Sequence, residues 1–253
     1  MTLAEIFADA WPGERRIRAQ LVAGEDFIFS GIQALKTLLA PQSELKAQWL
    51  FAEGDLILRG QTIVEIKGPF GAFHAVESLV RSAVRQASGL ATLVRLYAEK
   101  MRGSRTRLLL PAELRTPAKT SARDAFFTGS GAQGIIDDVL EVPATAVAAF
   151  GGYSATLAVF KTKASASVFV ECRDTAAFSE ALQAGFGHFI LDPATALAVV
   201  AQAAGTQILV RGSLPLETIS DFSGMQFHFL QPLQISEGPP QAECLWDLTI
   251  EQV

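Results

Sequence analysis

Between Ser167 and Leu230 the chain repeats one pattern: a short apolar run, then a segment with apolar residues at helical spacing, then a glycine or loop. SVFVE is followed by DTAAFSEALQAG, HFIL by PATALAVVAQAAG, and QILV by PLETISDF, with QFHFL as the next apolar run. Strands that are apolar on both faces and alternate with helices need helices over each face, which is the parallel sheet of an α/β fold. The punctuation agrees. Asp174 stands where a helix N-cap belongs and Gly185 where that helix should stop, while Pro193 falls in a first turn and Gly205 after a last one. TRLLL, near residue 108, reads as an earlier strand, and AKTSARDAFF after it as a helix. Several successive units favour a barrel over an open sheet.

The first ninety residues have a different rhythm. Residues 3 to 10 read as a short helix. ERRIRAQLVA then alternates, with Ile17, Ala19 and Leu21 on one face and Arg16, Arg18 and Gln20 on the other. GIQALKTLLA reads as a helix, and AQWLF, LILRG and TIVEIKG as short strands of a small mixed sheet. A long helical segment follows from about Phe73 to Met101, with Gly89 as a candidate break. After Pro239 and Pro240, ECLWDLTI alternates like a strand that returns to the N-terminal sheet. The expected division is an N-terminal α+β domain at 1–88, an α/β barrel of the TIM-like kind, complete or incomplete, at 89–242, and the returning strand at 243–253.

Composition narrows the function classes. Of 253 residues, 49% are apolar and 19% charged, a globular balance, and the net charge of −5 works against nucleic acid and anionic membranes as partners. Cys172 and Cys244 are too few for a disulfide framework or a four-ligand zinc site, and His74, His188 and His228 follow no ligand spacing. A Mg²⁺ held by carboxylates and phosphate stays open. The N-terminal residues carry acids and no apolar core of a signal peptide, so a cytoplasmic location is expected. The uncharged run from Val142 to Phe160 contains Pro143, Gly151 and Gly152 and reads as a buried loop and helix rather than a membrane span.

In an α/β barrel the side chains at the C-terminal ends of strands build the site. Glu171, Asp192 and Arg211 end SVFV, HFIL and QILV in that position. Asp192 precedes Pro193 and can equally cap a helix; Arg211 can equally be a rim residue. A carboxylate ending an apolar strand is costly to bury alone, so Glu171 should face a polar cavity. The run Gly129 to Gly134 matches GxGxxG but follows a helix, without the strand a dinucleotide fingerprint requires, and reads as a turn. Lys100, Arg102, Arg105, Arg107, Arg115, Lys119 and Arg123 form one basic region, opposed only by Glu113.

SGLAT at residues 88–92 resembles the SGIAT segment of quinolinate phosphoribosyltransferases, also called carboxylating nicotinate-nucleotide pyrophosphorylases. GPFGAFHAVESLVRSAVRQASGLATLV resembles the surrounding pattern, with its FHAV portion closer to the ModD branch. VFVECRDTAAFSEAL and FILDP resemble the family's V-E-V-E and L-L-D-N strand ends, LVRGSLPLETISDFSGMQFHFL its S-G-G turn segment, and WDLTI its final strand. The resemblance implies a dimeric pentosyltransferase that joins quinolinate to phosphoribosyl pyrophosphate and releases pyrophosphate and CO₂, in NAD biosynthesis. It implies catalytic roles for Glu171 and Asp192, which would also hold Mg²⁺ in an active enzyme. It implies substrate binding by Glu77, Lys119, Arg123, Arg211, Gly212 and Ser213.

The departures from the family are mostly losses of positive charge. Ser78 stands where the family has an arginine, and T-R-K-T aligns with Pro111, Ala112, Glu113 and Leu114. The H-R pair aligns near Gly134 and Ile135, and S-G-G reads Arg211-Gly212-Ser213. A dicarboxylate and a pyrophosphate need several Arg and Lys donors. Three readings follow: a divergent phosphoribosyltransferase; a pseudoenzyme acting as a binding or assembly subunit, in a homodimer or a heteromer with an active homologue; or a barrel enzyme for another phosphorylated metabolite.

Overall fold

Strand β1 (Arg16–Ala23) buries every second residue, and Ile17, Ala19, Leu21 and Ala23 all turn inward. This period of two sets the face of a small antiparallel sheet. The computed structural model describes residues 15–135, 139–161, 167–225 and 227–250, so the helix expected at residues 3–10 lies outside the described residues. After β1 come β2 (Phe27–Ile28), helix α1 (Ile32–Leu39), β3 (Lys46–Trp49), β4 (Leu56–Ile57) and β5 (Thr62–Pro69). β1 pairs antiparallel with β5, and β5 with β3; β2 pairs with β4 in a separate two-stranded ladder. Helix α2 (Phe70–His74) precedes α3 (Glu77–Lys100), which runs unbroken through Gly89.

The second half begins with β6 (Arg107–Leu109), helix α4 (Thr120–Ser130) and β7 (Gly134–Ile135). β8 (Val139–Val142) leads into the uncharged run that reads in sequence as loop and helix, and α5 (Ala144–Phe150) and α6 (Tyr153–Lys161) occupy that run. β9 (Ser167–Cys172), α7 (Thr175–Ala184), β10 (His188–Leu191) and α8 (Pro193–Val199) continue the alternation. β11 (Gln207–Gly212), α9 (Ile219–Gly224), β12 (Phe229–Pro232) and α10 (Leu233–Glu237) complete it. The seven strands order as β7-β6-β12-β11-β10-β9-β8, and every neighbouring pair is parallel. The order stops at β7 on one side and β8 on the other, a half-barrel with open edges. As expected, Asp174 caps α7 by accepting from the Ala177 amide at 2.8 Å, and Gly185 ends it in the left-handed region.

The last strand, β13 (Cys244–Ile250), pairs antiparallel with β1, giving the sheet order β13-β1-β5-β3. The described residues divide into two compact units. One takes residues up to Leu93, Lys119–Gly129 and Pro239–Val253; the other takes Val94–Ala118 and Ser130–Gly238. The division therefore falls inside α3, and the segment 119–129 goes with the first unit rather than with the barrel.

The first unit packs Leu21, Phe29, Leu35, Ile57, Val64, Phe73, Val80 and Val84 into one core. SGLAT docks the 27–30 segment onto it. Ser88 Oγ accepts from the Ser30 amide at 3.1 Å and donates to the Ser30 carbonyl at 3.3 Å. Thr92 Oγ1 accepts from the Ile28 amide at 2.9 Å. A carboxylate from a turn caps α1: Glu53 accepts from the Ser30 hydroxyl and from the amides of Gly31 and Ile32.

Candidate functional site

The second unit's sheet builds its inner face in layers. Leu109, Ile135, Val139, Phe169, Ile190, Leu209 and Phe229, one from each strand, meet in a single apolar cluster. Ile135 and Val139 lie on the two open edges, so sharing that cluster requires the sheet to curl. Side chains alternate faces along a strand. Two residues beyond this layer, toward the strands' C-terminal ends, the same face carries Glu141 on β8, Glu171 on β9, Asp192 after β10, Arg211 on β11 and Gln231 on β12. An apolar floor thus supports a charged layer where barrel sites form.

The charged layer is bonded to itself. Glu141 is the hub: Oε1 accepts from Arg115 Nη2 at 3.0 Å, and Oε2 from Arg211 Nη2. Arg211 Nε donates to Gln231 Oε1, and Gln231 Nε2 donates to the Leu110 carbonyl at 3.4 Å. Arg115 also donates to the Leu110 carbonyl from Nε at 3.0 Å and Nη2 at 2.8 Å, and to the Val139 carbonyl at 3.4 Å. The Glu141 side chain is only 13% exposed, so water screens these pairs weakly.

The other two carboxylates sit on helix N-termini. Glu171 Oε2 accepts from the Ala144 amide at 2.8 Å, at the start of α5. Asp192 Oδ1 accepts from the Ala194 and Thr195 amides at 2.9 and 3.1 Å, and Oδ2 from the Thr195 hydroxyl. Burial pushes the Asp192 pKa up, but the Thr195 hydroxyl and the two amides outweigh it and hold the carboxyl below the usual range. Orphan amides at a helix N-terminus attract anions, and here the chain supplies its own.

The turn after β11 is also internally held. Gly212 has φ +158°, and a Cβ there would lie 2.6 Å from Pro193 Cδ, so the turn needs glycine to pass α8. Ser213 Oγ accepts from Gln234 Nε2 at 3.2 Å, and Gln234 Oε1 accepts from the Leu214 amide at 3.4 Å.

Glu171, Asp192, Arg211, Gly212 and Ser213 therefore all lie at the C-terminal side of the half-barrel strands. Glu77, Lys119 and Arg123 belong to the first unit. Glu77 opens α3 with His74 Nδ1 at 3.6 Å, Lys119 is exposed, and Arg123 Nε lies 3.7 Å from Asp124 Oδ1. The sequence reading did not single out Glu141 or Gln231, and it took Arg115 only as one member of a basic run. The alternation of Val139 with Glu141 and of Phe229 with Gln231 carries the signal, once β8 and β12 are placed.

Nearby nucleophiles are inert. Burial pushes the Cys172 thiol up to about 12, and burial likewise raises the Tyr153 phenol, which donates to the Glu171 carbonyl at 3.2 Å. Neither offers a base or thiolate near neutral pH. Burial lowers the His188 pKa, with His228 adding to it; His188 packs its ring, tilted, against Phe169 at the opposite end of β10 from Asp192.

Comparison with known proteins points one way. A family model described as the quinolinate phosphoribosyl transferase N-terminal domain matches residues 5–88. A probable carboxylating nicotinate-nucleotide pyrophosphorylase of Bacillus subtilis (strain 168) is 31% identical over 84 residues, 33% of this chain and 29% of that relative. The sequence match thus spans less than a third of the relative's length. The fold match is longer. A nicotinate-nucleotide pyrophosphorylase from Ehrlichia chaffeensis superposes with a TM-score of 0.81 at 15% identity, covering 96% of this chain and 92% of that one. NadC from Streptococcus pyogenes gives 0.79 at 20% identity, covering 98% and 91%.

Proposed function

We propose that the chain is a divergent, non-catalytic member of the quinolinate phosphoribosyltransferase family that keeps the fold as a binding or assembly subunit. One observation carries the reading: at the ends of β8, β9 and β10, three groups able to take an anion are filled by carboxylates of the chain itself. Glu141 takes Arg115 and Arg211, Glu171 takes the α5 terminus, and Asp192 takes the α8 terminus.

The family reaction asks for the reverse. A dicarboxylate and a departing pyrophosphate need guanidinium and ammonium groups aimed at the ligand, and preorganised positive charge there supplies much of the acceleration. Arg211, which replaces the first residue of the family's S-G-G turn, is held by Glu141 and Gln231. Mg²⁺ in an active relative would stabilise pyrophosphate as it leaves. Glu171 and Asp192 do not fit that ion as they stand, because each carboxylate already accepts from amides at a helix N-terminus. Among the described residues no three His, Cys, Asp or Glu side chains gather as a metal site. What these residues do is fix the strand-end loops.

The proposed subunit is cytoplasmic and dimeric, with itself or with an active homologue. Among the described residues no helix is long and apolar enough to cross a membrane. The test is direct. Purified protein incubated with quinolinate, phosphoribosyl pyrophosphate and Mg²⁺ should form no nicotinate mononucleotide by chromatography; product above a heat-killed control overturns the reading.

A second reading rests on the charge count of the network. Two guanidinium groups share the one carboxylate of Glu141, leaving that cluster with an excess of one positive charge. In a divergent phosphoribosyltransferase, or an enzyme for another phosphorylated metabolite, Arg211, Gly212 and Ser213 would contact phosphate. Magnesium-dependent binding of phosphoribosyl pyrophosphate in calorimetry would favour it.

A further inference from the structure

The network around Glu141 has the form of a receptor bound to a ligand. Arg115 and Arg211 approach one carboxylate from two sides, one guanidinium on each oxygen. The two arginines come from a loop after β6 and from β11, and the carboxylate from the edge strand β8. Gln231, 3% exposed, orients Arg211 through its amide oxygen and is itself anchored on the Leu110 carbonyl. Arg115 is anchored on the Leu110 and Val139 carbonyls. The guanidinium groups are therefore fixed by contacts other than Glu141, and both keep access to water, with side chains 22% and 28% exposed.

Take away the carboxylate charge and two preorganised, partly desolvated cations remain side by side. A pair of that kind repels itself and attracts an oxyanion, which satisfies both forks at once. We propose that Arg115 and Arg211 form an oxyanion-binding site that Glu141 fills from within, an autoinhibitory contact for which a phosphate group competes. The inference rests on the reading above that the strand-end site is closed by its own acids, and it adds how that closure is regulated. Phosphate displaces the Glu141 side chain from the arginine pair; no covalent bond changes.

Inorganic phosphate is the probe. In Glu141→Gln the competing charge is gone while the side-chain volume stays, so phosphate should bind at least about tenfold more tightly than to the native chain. Isothermal calorimetry at low ionic strength reads this, with native circular dichroism as the control for folding. Glu141→Gln combined with Arg211→Met should lose the gain. Ribose 5-phosphate, titrated alongside, separates the sources: tighter binding than phosphate assigns a sugar phosphate, equal binding the free anion. A folded Glu141→Gln chain with no gain overturns the proposal. If that variant does not fold, the native chain decides by ¹⁵N resonances of the arginine Nε groups. Shifts of Arg115 and Arg211 that saturate with phosphate support the site, and their constancy up to about 100 mM, near the weak limit for specific binding, overturns it. Either result is independent of turnover: nicotinate mononucleotide formation would remove the non-catalytic reading and leave the phosphate titration to stand or fall alone.

Discussion

The carbonyl oxygen of Pro240 lies 1.8 Å from where a Cβ on Gly89 would stand. Helix propensity favours alanine over glycine inside α3 by about 1 kcal/mol. The contact decides the other way, because the obstacle is backbone, and the Ala242 amide beside it is bonded to the Arg85 carbonyl at 3.0 Å. Gly89→Ala should therefore destabilise by about 3 kcal/mol, the range of a forced overpacking. Urea unfolding followed by circular dichroism measures it, and a neutral or stabilised variant contradicts the close approach. In this chain the glycine of SGLAT is a packing requirement, and Ser88 and Thr92 are docking groups.

Glu53 caps α1 from 21 residues further on, because the N-cap position is Gly31 and has no side chain to offer. It also accepts from the Thr128 hydroxyl at 3.2 Å, tying α4 to the same turn. Glu53→Ala removes acceptors for the Ser30 hydroxyl and two amides, and should cost about 2 kcal/mol. Glu53→Gln keeps one acceptor oxygen and should cost roughly half as much. Equal losses in the two variants would mean that charge, rather than the hydrogen bonds, holds the helix end.

The α/β class was legible because parallel strands buried on both faces are short apolar words between helices, and SVFV, HFIL and QILV read that way. Local chemistry fixed the ends of α7: an Asp174 cap and a Gly185 stop are sequence-local signals. The stretch from Val139 to Lys161 was harder. VLEVPATAVAAF has few charges to give a helical phase, and β8 exists as a strand because β9 pairs with it from Ser167 to Val170. Missing β8 hid Glu141, and with it the hub of the charged layer. Arg115 meets Glu141 across 26 residues of chain, and Arg211 across 70, so no local pattern could join them. The same distance effect conceals Glu53, which reads as a turn residue until α1 is folded back against it.

Acid should unpick two carboxylates in a defined order of sign. Glu65 is held down to about 2 by hydrogen bonds from Arg18 and Lys67, with Gln20 adding to them, and Asp192 is held below its ordinary value by the Thr195 contacts against the pull of burial. A depressed folded pKa means the stabilisation is complete above the unfolded value and is lost as pH falls toward the folded one. For Glu65 that window runs from about 4.5 down to about 2. Stability measured from pH 6 to pH 2 should fall in the native chain and fall less steeply in Glu65→Gln and Asp192→Asn. Parallel acid limbs for all three proteins would contradict both assignments.

Thiol chemistry gives a separate check of the core. Burial pushes Cys172 up to about 12 and Cys244 up to about 11, and both are free. At pH 8 the thiolate fraction of each is small and the sulfur is shielded, so neither thiol of the folded chain should react with a disulfide reagent within minutes. In guanidinium both should titrate. Rapid reaction of one thiol in the native state would place that residue outside the packing described.

Arg115 joins strands that the sheet does not pair. Its guanidinium reaches the Leu110 carbonyl after β6 and the Val139 carbonyl and Glu141 on β8, with β12, β11, β10 and β9 between those strands in the sheet order. It thus ties the open edge of the half-barrel to the far side by side-chain bonds alone. Arg115→Met keeps the apolar stem and removes the fork, and should cost about 2–3 kcal/mol, somewhat less than breaking a fully buried pair, since the group is partly exposed. Arg115→Lys keeps the charge without the planar geometry and should recover only part of the loss. The loss should also be local. β8 has one ladder partner, β9, and without Arg115 its amides should exchange hydrogen about tenfold faster while those of the interior strand β10 change little. Uniform acceleration across the sheet, or unchanged protection of β8, would show that the edge is held by packing instead of by this residue.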